Sequence, residues 1–333
     1  MMRPPHPFAR FVQLLGRGKT LTRSLTIEEA RDAMGMILAG DVLPEQLGAF
    51  LMLLRVKEES PDEIAGFVQA ARVAMALPDP LPKVDFDWSS YAGKRRQLPW
   101  FMLAALLLAR NGFSVFMHGI DGHTAGRVYT REVLAKFGIP EAKSFGEAAS
   151  HLDRRNFAYM PLDFVSPKLA ELFGLRPIFG LRSPVHTLSR MLNPFAAPVM
   201  LQGIFHPGYM AIHQKAALLL EQPHMAVFRG EGGEIERRPN KPCEVFTVHQ
   251  GVAGEERWPV LLSDPRQAPE EDMKLDRLLK LWRGEIEDDY GDAAVTGTLA
   301  IALRTRGPAI PAEAAQEQAN ALWQARDRIH AVA

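Results

Sequence analysis

A proline-rich segment, LPDPLPK at residues 77–83, divides the chain into two parts with different hydrophobic patterns. Proline lacks the N–H group that continues a helix, so a helical region has to end there. The sequence before this segment has the pattern of amphipathic helices with short joints. Thr26 followed by Glu29, and Ser60 followed by Pro61 and Glu63, are typical of capped helix N-termini. These features predict a small α-helical bundle over residues 1–77.

After the proline-rich segment, apolar runs of strand length alternate with helical patterns. Strands are predicted at FSVFM, FAYM, RPIF, MAVF and EVFTV, and helices at residues 98–109, at YTREVLAKFG and at PGYMAIHQKAALLLEQ. This alternation predicts βα units, and so an α/β domain with a largely parallel central sheet over residues 83–333. We expect helices from residues 164–192 to join the helical domain.

The composition limits the class of protein. With 333 residues, 47% of them hydrophobic, the chain can bury the cores that two domains need. Its one cysteine, Cys243, excludes a disulfide scaffold and a cysteine metal cluster, which is typical of a reducing compartment. The longest apolar run, LPWFMLAALLLA, is too short to cross a bilayer. We therefore expect a cytoplasmic protein with no membrane partner.

The charge is balanced overall but unevenly distributed. Lys plus Arg and Asp plus Glu both number 39, whereas residues 94–190 contain 14 Lys or Arg against 7 Asp or Glu. Loops at the carboxyl ends of parallel strands meet at one edge of a sheet, so we expect most of these cations to share one cleft. A row of cations in a cleft suits a polyanion such as nucleic acid. The candidate nucleic-acid-binding residues are Lys94, Arg95, Arg96, Arg127, Arg131, Arg154, Arg155, Arg182, His186 and Arg190.

Two glycine-containing segments are candidates for binding a phosphate. Gly93 lies in a turn ahead of a predicted helix, and glycines at 119, 122 and 126 come between a predicted strand and a helix. Backbone N–H groups and the helix dipole favour an anion at such places. The second segment fits an ordinary βα turn equally well. His118, at the end of the strand, has no neighbouring cysteine or paired carboxylate that would indicate a metal site.

A third glycine-rich segment, RGEGGEIERRP at residues 229–239, contains three glutamates. Their carboxylates could bind magnesium on a diphosphate. The neighbouring Arg237 and Arg238 could equally pair with them in a solvated hairpin. We assign no metal ligands.

In this order, the segments resemble the anthranilate phosphoribosyltransferase family. The family has a helical domain, a linker, a D-x-x-G-T-G-G-D loop, a strand ending in K-H-G-N-R, the motif R-R-x-L-G-x-R-T-x-F-N before N-P, and H-G-x-x-x-D-E. The resemblance implies a nucleoside phosphorylase type α/β domain and a homodimer formed through the helical domain. The residues that it retains for a phosphate site are Gly93, His118, Gly119, Gly126 and Glu234.

The departures from the family's motifs fall on the positions that hold substrate. Residues 90–94 read SYAGK where the family has its diphosphate loop, and Ile120 and Asp121 replace an asparagine and an arginine. Ala170 and Gly180 stand where the resemblance implies an arginine that binds anthranilate and an asparagine. Gly233 replaces an aspartate that binds magnesium beside Glu234. A diphosphate needs metal and oriented donors in the transition state, so these losses argue against efficient transfer.

The cations in their place are similar to those of the divergent YbiB-type branch of the family. That resemblance implies a homodimeric, non-catalytic protein that binds DNA or RNA backbone in a basic groove, largely independent of sequence and strongly dependent on salt. Tyr91 or Trp100 could stack on unpaired bases, although Trp100 lies in a helix pattern typical of a core. The alternative is a phosphoribosyltransferase with an altered acceptor that uses phosphoribosyl pyrophosphate and magnesium. A scaffolding homodimer would not account for the local excess of cations.

Overall fold

The computed structural model describes residues 4–330, apart from residues 19, 123, 265, 267, 268 and 271. The helices of the N-terminal part are α1 (Ala9–Gly16), α2 (Ile27–Ala39), α3 (Pro44–Lys57) and α4 (Pro61–Val73). Both predicted capping boxes are present, because the hydroxyls of Thr26 and Ser60 accept hydrogen bonds from the N–H groups of Glu29 and Glu63. The predicted helical bundle is confirmed.

A sheet that has seven strands within the described residues forms the centre of the second part. Its order is β3-β2-β1-β4-β5-β6-β7. The strands are β1 (Phe86–Ser90), β2 (Val115–Gly119), β3 (Phe157–Pro161), β4 (Val199–Ile204), β5 (His224–Arg229), β6 (Cys243–His249) and β7 (Val252–Trp258). The first five strands in this order, β3, β2, β1, β4 and β5, are parallel to one another. Strands β6 and β7 are antiparallel to their neighbours. The predicted largely parallel sheet is confirmed.

Helices cover both faces of this sheet, as a parallel sheet requires. They are α5 (Phe101–Arg110), α6 (Thr130–Lys136), α7 (Phe145–Arg155), α12 (Met210–Leu219), α13 (Asp276–Arg283), α14 (Asp289–Arg306) and α15 (Ala312–Gln324). Along β2, Val115 and Met117 join the core that contains α5 and α14, whereas Phe116 joins the core that continues into the helical bundle. The bundle therefore packs on one face of the α/β part.

Short helices lie between β3 and β4: α8 (Leu162–Val165), α9 (Pro167–Phe173), α10 (Arg176–Phe179) and α11 (Val185–Leu188). Helix α11 packs on α4, and the Arg72 guanidinium of α4 donates to the carbonyl oxygens of Leu192, at 2.7 Å, and Met191, at 3.3 Å. This segment connects the bundle to the sheet.

The strand predicted at RPIF is wrong, because these residues form α10. Ile178 is 77% exposed, whereas a central parallel strand is buried on both faces. Pro177 lies in the first turn of α10, where its missing N–H group leaves no helical hydrogen bond unmade. The strand that precedes α12 is β4 instead.

Within the described residues, no helix has the length and apolar character that crossing a bilayer requires.

Candidate functional site

A cavity of about 450 Å³ lies at the edge of the sheet where the parallel strands end, which we call the carboxyl edge. It is bounded by the helical bundle, the segment before β4, the turn after β4 and the loop after β5. Its lining includes Arg55, Glu58, Glu59, Arg182, His186, Arg190, Phe205, His206, Tyr209, Gly232 and Gly233. Three of the predicted binding residues, Arg182, His186 and Arg190, are therefore brought together here.

The glycine loop after β1 is closed by a carboxylate of the protein itself. Oε1 of Glu234 accepts hydrogen bonds from the backbone nitrogens of Ala92 and Gly93, both at 2.6 Å. Glu234 is 1% exposed, and its burial raises the pKa of its carboxyl group against the effects of the Gly93 and Ala92 N–H groups and Arg190. The N–H groups that could have met a phosphate already have an anionic acceptor.

Gly93 itself is required by the turn. Its φ is +68°, in the left-handed region, and a Cβ placed on it would lie 2.8 Å from the ring of Tyr129. The conformation of the turn and its contact with Tyr129 therefore explain why this position is a glycine.

The carbonyl groups of this loop also have a partner within the protein. Nη1 of Arg127 donates to the carbonyl oxygens of Ala92, at 2.8 Å, and Gly93, at 3.0 Å. Arg127, predicted to bind nucleic acid, thus supports the glycine loop from the next loop along the sheet. The loop is hydrogen-bonded on both its donor and its acceptor side.

The prediction that Lys94 is an exposed phosphate ligand is wrong. Its side chain is 0% exposed, and its Nζ forms an ion pair with Oε1 of Glu236. The other oxygen of Glu236 accepts from the backbone nitrogen of Phe101 at 2.9 Å. A buried cation of this kind is held by its counterion and does not reach a ligand in solvent.

The retained phosphate-site residues do not form a site together. His118 is fully buried, with Nδ1 2.7 Å from the Tyr91 hydroxyl and Nε2 3.3 Å from Oδ1 of Asp87. A Cβ on Gly119 would overlap the carbonyl oxygen of Ser90, so this glycine allows β1 and β2 to approach. Gly126 lies in an exposed turn with a φ of +69°. Gly93, His118 and Gly119 are therefore occupied by internal contacts.

The two aromatic candidates for base stacking are also internal. Trp100 is fully buried in the core, as its pattern indicates. Tyr91 is buried and stacks on Phe173, with 5.7 Å between the ring centroids. Neither ring is available to an unpaired base.

The guanidinium groups of Arg182 and Arg190 line the cavity, and those of Arg176 and Arg127 are close enough to affect Arg182. Burial, together with the nearby cations Arg190, Arg176 and Arg127, lowers the pKa of Arg182 to about 10. Burial also lowers the pKa of Arg190, whose guanidinium carbon lies 5.8 Å from the centroid of the Tyr91 ring. Arg182 is thus a partly buried cation beside other cations, an environment that an anion would stabilise.

The remaining predicted cations lie outside this cavity. Arg95 and Arg96 are exposed on the loop after β1, but neither lines the cavity. Arg131 pairs with Asp121, at 3.0 Å, and with Glu141, at 2.8 Å.

Arg154 and Arg155 lie at the opposite edge of the sheet. They form the last turn of α7, immediately before β3 begins. The expectation that most of the cations share one cleft is therefore wrong for this pair, because a helix that leads into a parallel strand ends at the amino edge.

The sequence analysis missed the contribution of the helical bundle to the cavity. Arg55 of α3 donates to the Tyr209 hydroxyl at 3.4 Å, and that hydroxyl donates to Oε2 of Glu59 at 3.3 Å. Burial raises the pKa of Tyr209 to about 12 and also raises that of Glu59. The side chains belong to regions about 150 residues apart, and no local motif connects them.

The residues present do not fit a magnesium site. Glu234 is committed to two N–H groups, and Gly233 beside it has no side chain to offer. Among the described residues, no group of three or more His, Cys, Asp or Glu side chains is placed to hold a metal ion.

Comparison with known proteins finds a family domain and several proteins that are similar to this chain in sequence. Residues 10–75 match the helical bundle domain of the glycosyl transferase family. The protein YbiB of Escherichia coli is 31% identical over 210 residues, which cover 61% of this chain and 64% of YbiB. The chain thus matches less than two thirds of that relative.

Two anthranilate phosphoribosyltransferases extend the comparison. That of Oleidesulfovibrio alaskensis is 29% identical over 231 residues, which cover 68% of this chain and 69% of the relative. The Saccharomyces cerevisiae enzyme, solved with PRPP and Mg, superposes with a TM-score of 0.77 over 95% of this chain and 93% of that chain, at 15% identity. These matches confirm the resemblance that the motifs indicate: the chain is a relative of the anthranilate phosphoribosyltransferase family in sequence and has its fold.

Proposed function

We propose that the protein binds the backbone of nucleic acid in the basic groove at the carboxyl edge, largely independent of sequence, and does not catalyse phosphoribosyl transfer. The observation that carries this proposal is the position of Glu234. Its carboxylate takes the two N–H groups that a diphosphate would need at the glycine loop.

Opening this loop for a diphosphate would be costly. Glu234 would have to leave, and its carboxyl group would lose both donors; a buried acceptor without a partner costs about 1–3 kcal/mol. If Glu234 stayed, its negative charge would lie beside the incoming phosphates. In either case, binding of a diphosphate at the position that the resemblance implies is disfavoured.

The guanidinium cluster supports binding of an anion outside the loop. Arg182 is partly exposed, and its pKa is lowered first by burial and then by Arg190, Arg176 and Arg127, so a phosphate beside it would stabilise its charge. Within the described residues, neither Arg182 nor Arg190 takes part in an ion pair. Arg95 and Arg96 add exposed positive charge at the same edge. A polyanion would contact several of these cations and release counterions.

The proposal is tested by titrating labelled single-stranded, duplex and RNA oligonucleotides and following fluorescence anisotropy. Arg182→Ala should weaken binding to all sequences alike and reduce the salt slope on single strands by about 0.7, the value for one lost phosphate contact. The double variant R154A/R155A is the control, because it removes charge at the opposite edge and should bind like the wild type. Equal binding by the wild type and R182A would contradict the proposal.

The second candidate is a phosphoribosyltransferase with an altered acceptor, which would use phosphoribosyl pyrophosphate and magnesium. The observation that favours it is the fold, shared with a yeast enzyme solved with PRPP and Mg. It requires Glu234 to release Ala92 and Gly93. Calorimetric titration with phosphoribosyl pyrophosphate and magnesium separates the two candidates: saturable micromolar binding supports the enzyme, and its absence supports the binding protein.

We also propose that the protein forms a homodimer through its helical part. Helix α10 lies beside α3, since a Cβ on Gly48 would lie 3.7 Å from the Phe179 ring. Next to this contact Leu43, Ile178 and Leu181 are exposed. Sedimentation equilibrium should show a dimer that I178D/L181D converts to a monomer. V252D on the edge strand β7 is the control and should remain dimeric; a monomeric wild type would contradict the proposal.

A further inference from the structure

A second basic cavity, also of about 450 Å³, lies beside the first. The charged side chains that line it are Arg229, Arg238, Lys241, Arg257 and Glu244. Among the described residues, no ion pair involves any of these four cations. Glu244 is opposite Arg257 in the register of β6 and β7, so Glu244 offsets part of one charge only. The cavity has a clear excess of positive charge.

The loop that carries Arg238 and Lys241 is anchored on its inner side and restricted by two prolines. On its inner side Arg237 is fully buried: its backbone nitrogen donates to the Thr298 hydroxyl at 3.0 Å, and its guanidinium donates to Gln316 at 3.2 Å and to the carbonyl of Pro259. Pro239 and Pro242 restrict the backbone of the turn. Arg238 and Lys241 are therefore presented by a rigid turn rather than by a free surface loop.

The turn after β4 separates the two cavities. Phe205, His206 and Tyr209 line the first cavity, and Pro207 and Met210 line the second. Phe205 is 50% exposed, and the Arg229 guanidinium lies 6.0 Å from the centroid of its ring. An exposed aromatic ring between two cavities that are both lined by arginine side chains has the arrangement of a stacking platform for single-stranded nucleic acid.

We infer that a single strand passes from the first cavity over Phe205 into the second, with an unpaired base stacked on Phe205. Its phosphates then contact Arg229, Arg238, Lys241 and Arg257. This inference rests on the proposed function and adds a preference for single strands, because the bases of a duplex keep their faces stacked on each other. It also assigns the stacking role to Phe205, since Tyr91 and Trp100 are buried.

The test compares F205A and R238A/K241A with the wild type, using oligothymidylates of about 20 and about 4 nucleotides and a duplex of the longer length, chosen around the site sizes of single-strand binding folds. F205A should weaken binding of the long single strand about tenfold and leave duplex binding unchanged. R238A/K241A should lower the salt slope for the long strand by about 1.4, which corresponds to two phosphate contacts. The charge-matched control is R154A/R155A at the opposite edge.

The outcomes separate this inference from the function on which it rests. If the wild type binds no oligonucleotide at low salt, the proposed function fails. If the wild type binds and R182A weakens binding, but F205A and R238A/K241A both match the wild type on the long strand, only the second cavity and the stacking role are contradicted.

Discussion

Oε1 of Glu234 lies 2.6 Å from the backbone nitrogen of Gly93, and the same oxygen accepts from the neighbouring nitrogen of Ala92. A loop whose N–H groups could hold a phosphate therefore carries an anion that belongs to the protein. Lys94, next in the chain, is held through its side chain, whose Nζ forms an ion pair with Glu236. Both glutamates come from the loop after β5, so that loop fixes the glycine loop at two consecutive points.

Removing this built-in anion should open the loop to an external one. We expect Glu234→Ala to lower the free energy of unfolding by about 2–4 kcal/mol, because two buried N–H groups lose their acceptor. Inorganic diphosphate should then raise the thermal midpoint of E234A but not that of the wild type, as a ligand that binds only the folded state does. Glu231→Ala, in the same loop, is the control. A diphosphate-dependent rise of the same size in the wild type would show that the loop is already accessible.

Lys94 and its two neighbours should respond differently to substitution. Lys94→Ala leaves Glu236 as an unpaired buried charge and should cost about 3–5 kcal/mol of stability. The double variant K94M/E236Q removes both charges, keeps an acceptor for the backbone nitrogen of Phe101 and should recover most of this loss. R95A/R96A should stay within about 0.5 kcal/mol of the wild type, because both side chains are exposed. Urea denaturation measures all three; a K94A variant as stable as R95A/R96A would rule out the buried pair.

Asp121 should make stability dependent on pH. Burial raises its pKa from 3.8 to about 6, against the effect of Arg131. The folded state therefore holds this proton more tightly than the unfolded state, so stability is lost as pH rises from about 4 to about 6. Relative to Asp121→Asn, the wild type should lose up to about 2 kcal/mol over this window, after allowance for solvent screening. Parallel stability curves for the two proteins, measured by denaturation at each pH, would argue against a raised pKa.

Gly119 should prove to be a packing residue. A methyl group there would overlap the carbonyl oxygen of Ser90, so Gly119→Ala should destabilise the fold by about 1–3 kcal/mol or more. Gly35→Ala is the matched control: nothing lies within 4 Å of a Cβ on this glycine of α2, and alanine favours a helix. Thermal unfolding should rank G119A below the wild type and G35A at or above it. The reverse order would mean that the close approach of β1 and β2 is not what requires Gly119.

Local patterns were enough to predict the elements that depend on local chemistry. The capping residues Thr26 and Ser60, and strands such as FAYM and MAVF, follow from hydrogen bonding and burial within a few residues. Strand β4 was missed because Gln202 and Gly203 interrupt its apolar run. Gly203 is needed there, since a Cβ would overlap the backbone of Glu234, and that contact is visible only in three dimensions.

The site was harder to predict because its partners are far apart in sequence. Lys94 and Glu236 are separated by 142 residues, so three adjacent cations gave no indication that one of them is buried. Conversely, Arg154 and Arg155 could have been placed correctly, because they end a helix that leads directly into a strand. Arg238 was considered only as a possible partner of the neighbouring glutamates, because no local pattern indicates that it shares a cavity with Arg229 and Lys241.

The proposed binding of nucleic-acid backbone is tested most directly by the affinity of the wild-type protein for a single-stranded oligonucleotide. This affinity is measured by fluorescence anisotropy over a series of salt concentrations. We expect tight binding at low salt and a linear fall of log K with log salt concentration, at a slope of about −0.7 for each phosphate contacted. The affinity should vary little with base sequence. No binding at low salt, or an affinity that does not change with salt, would contradict the account.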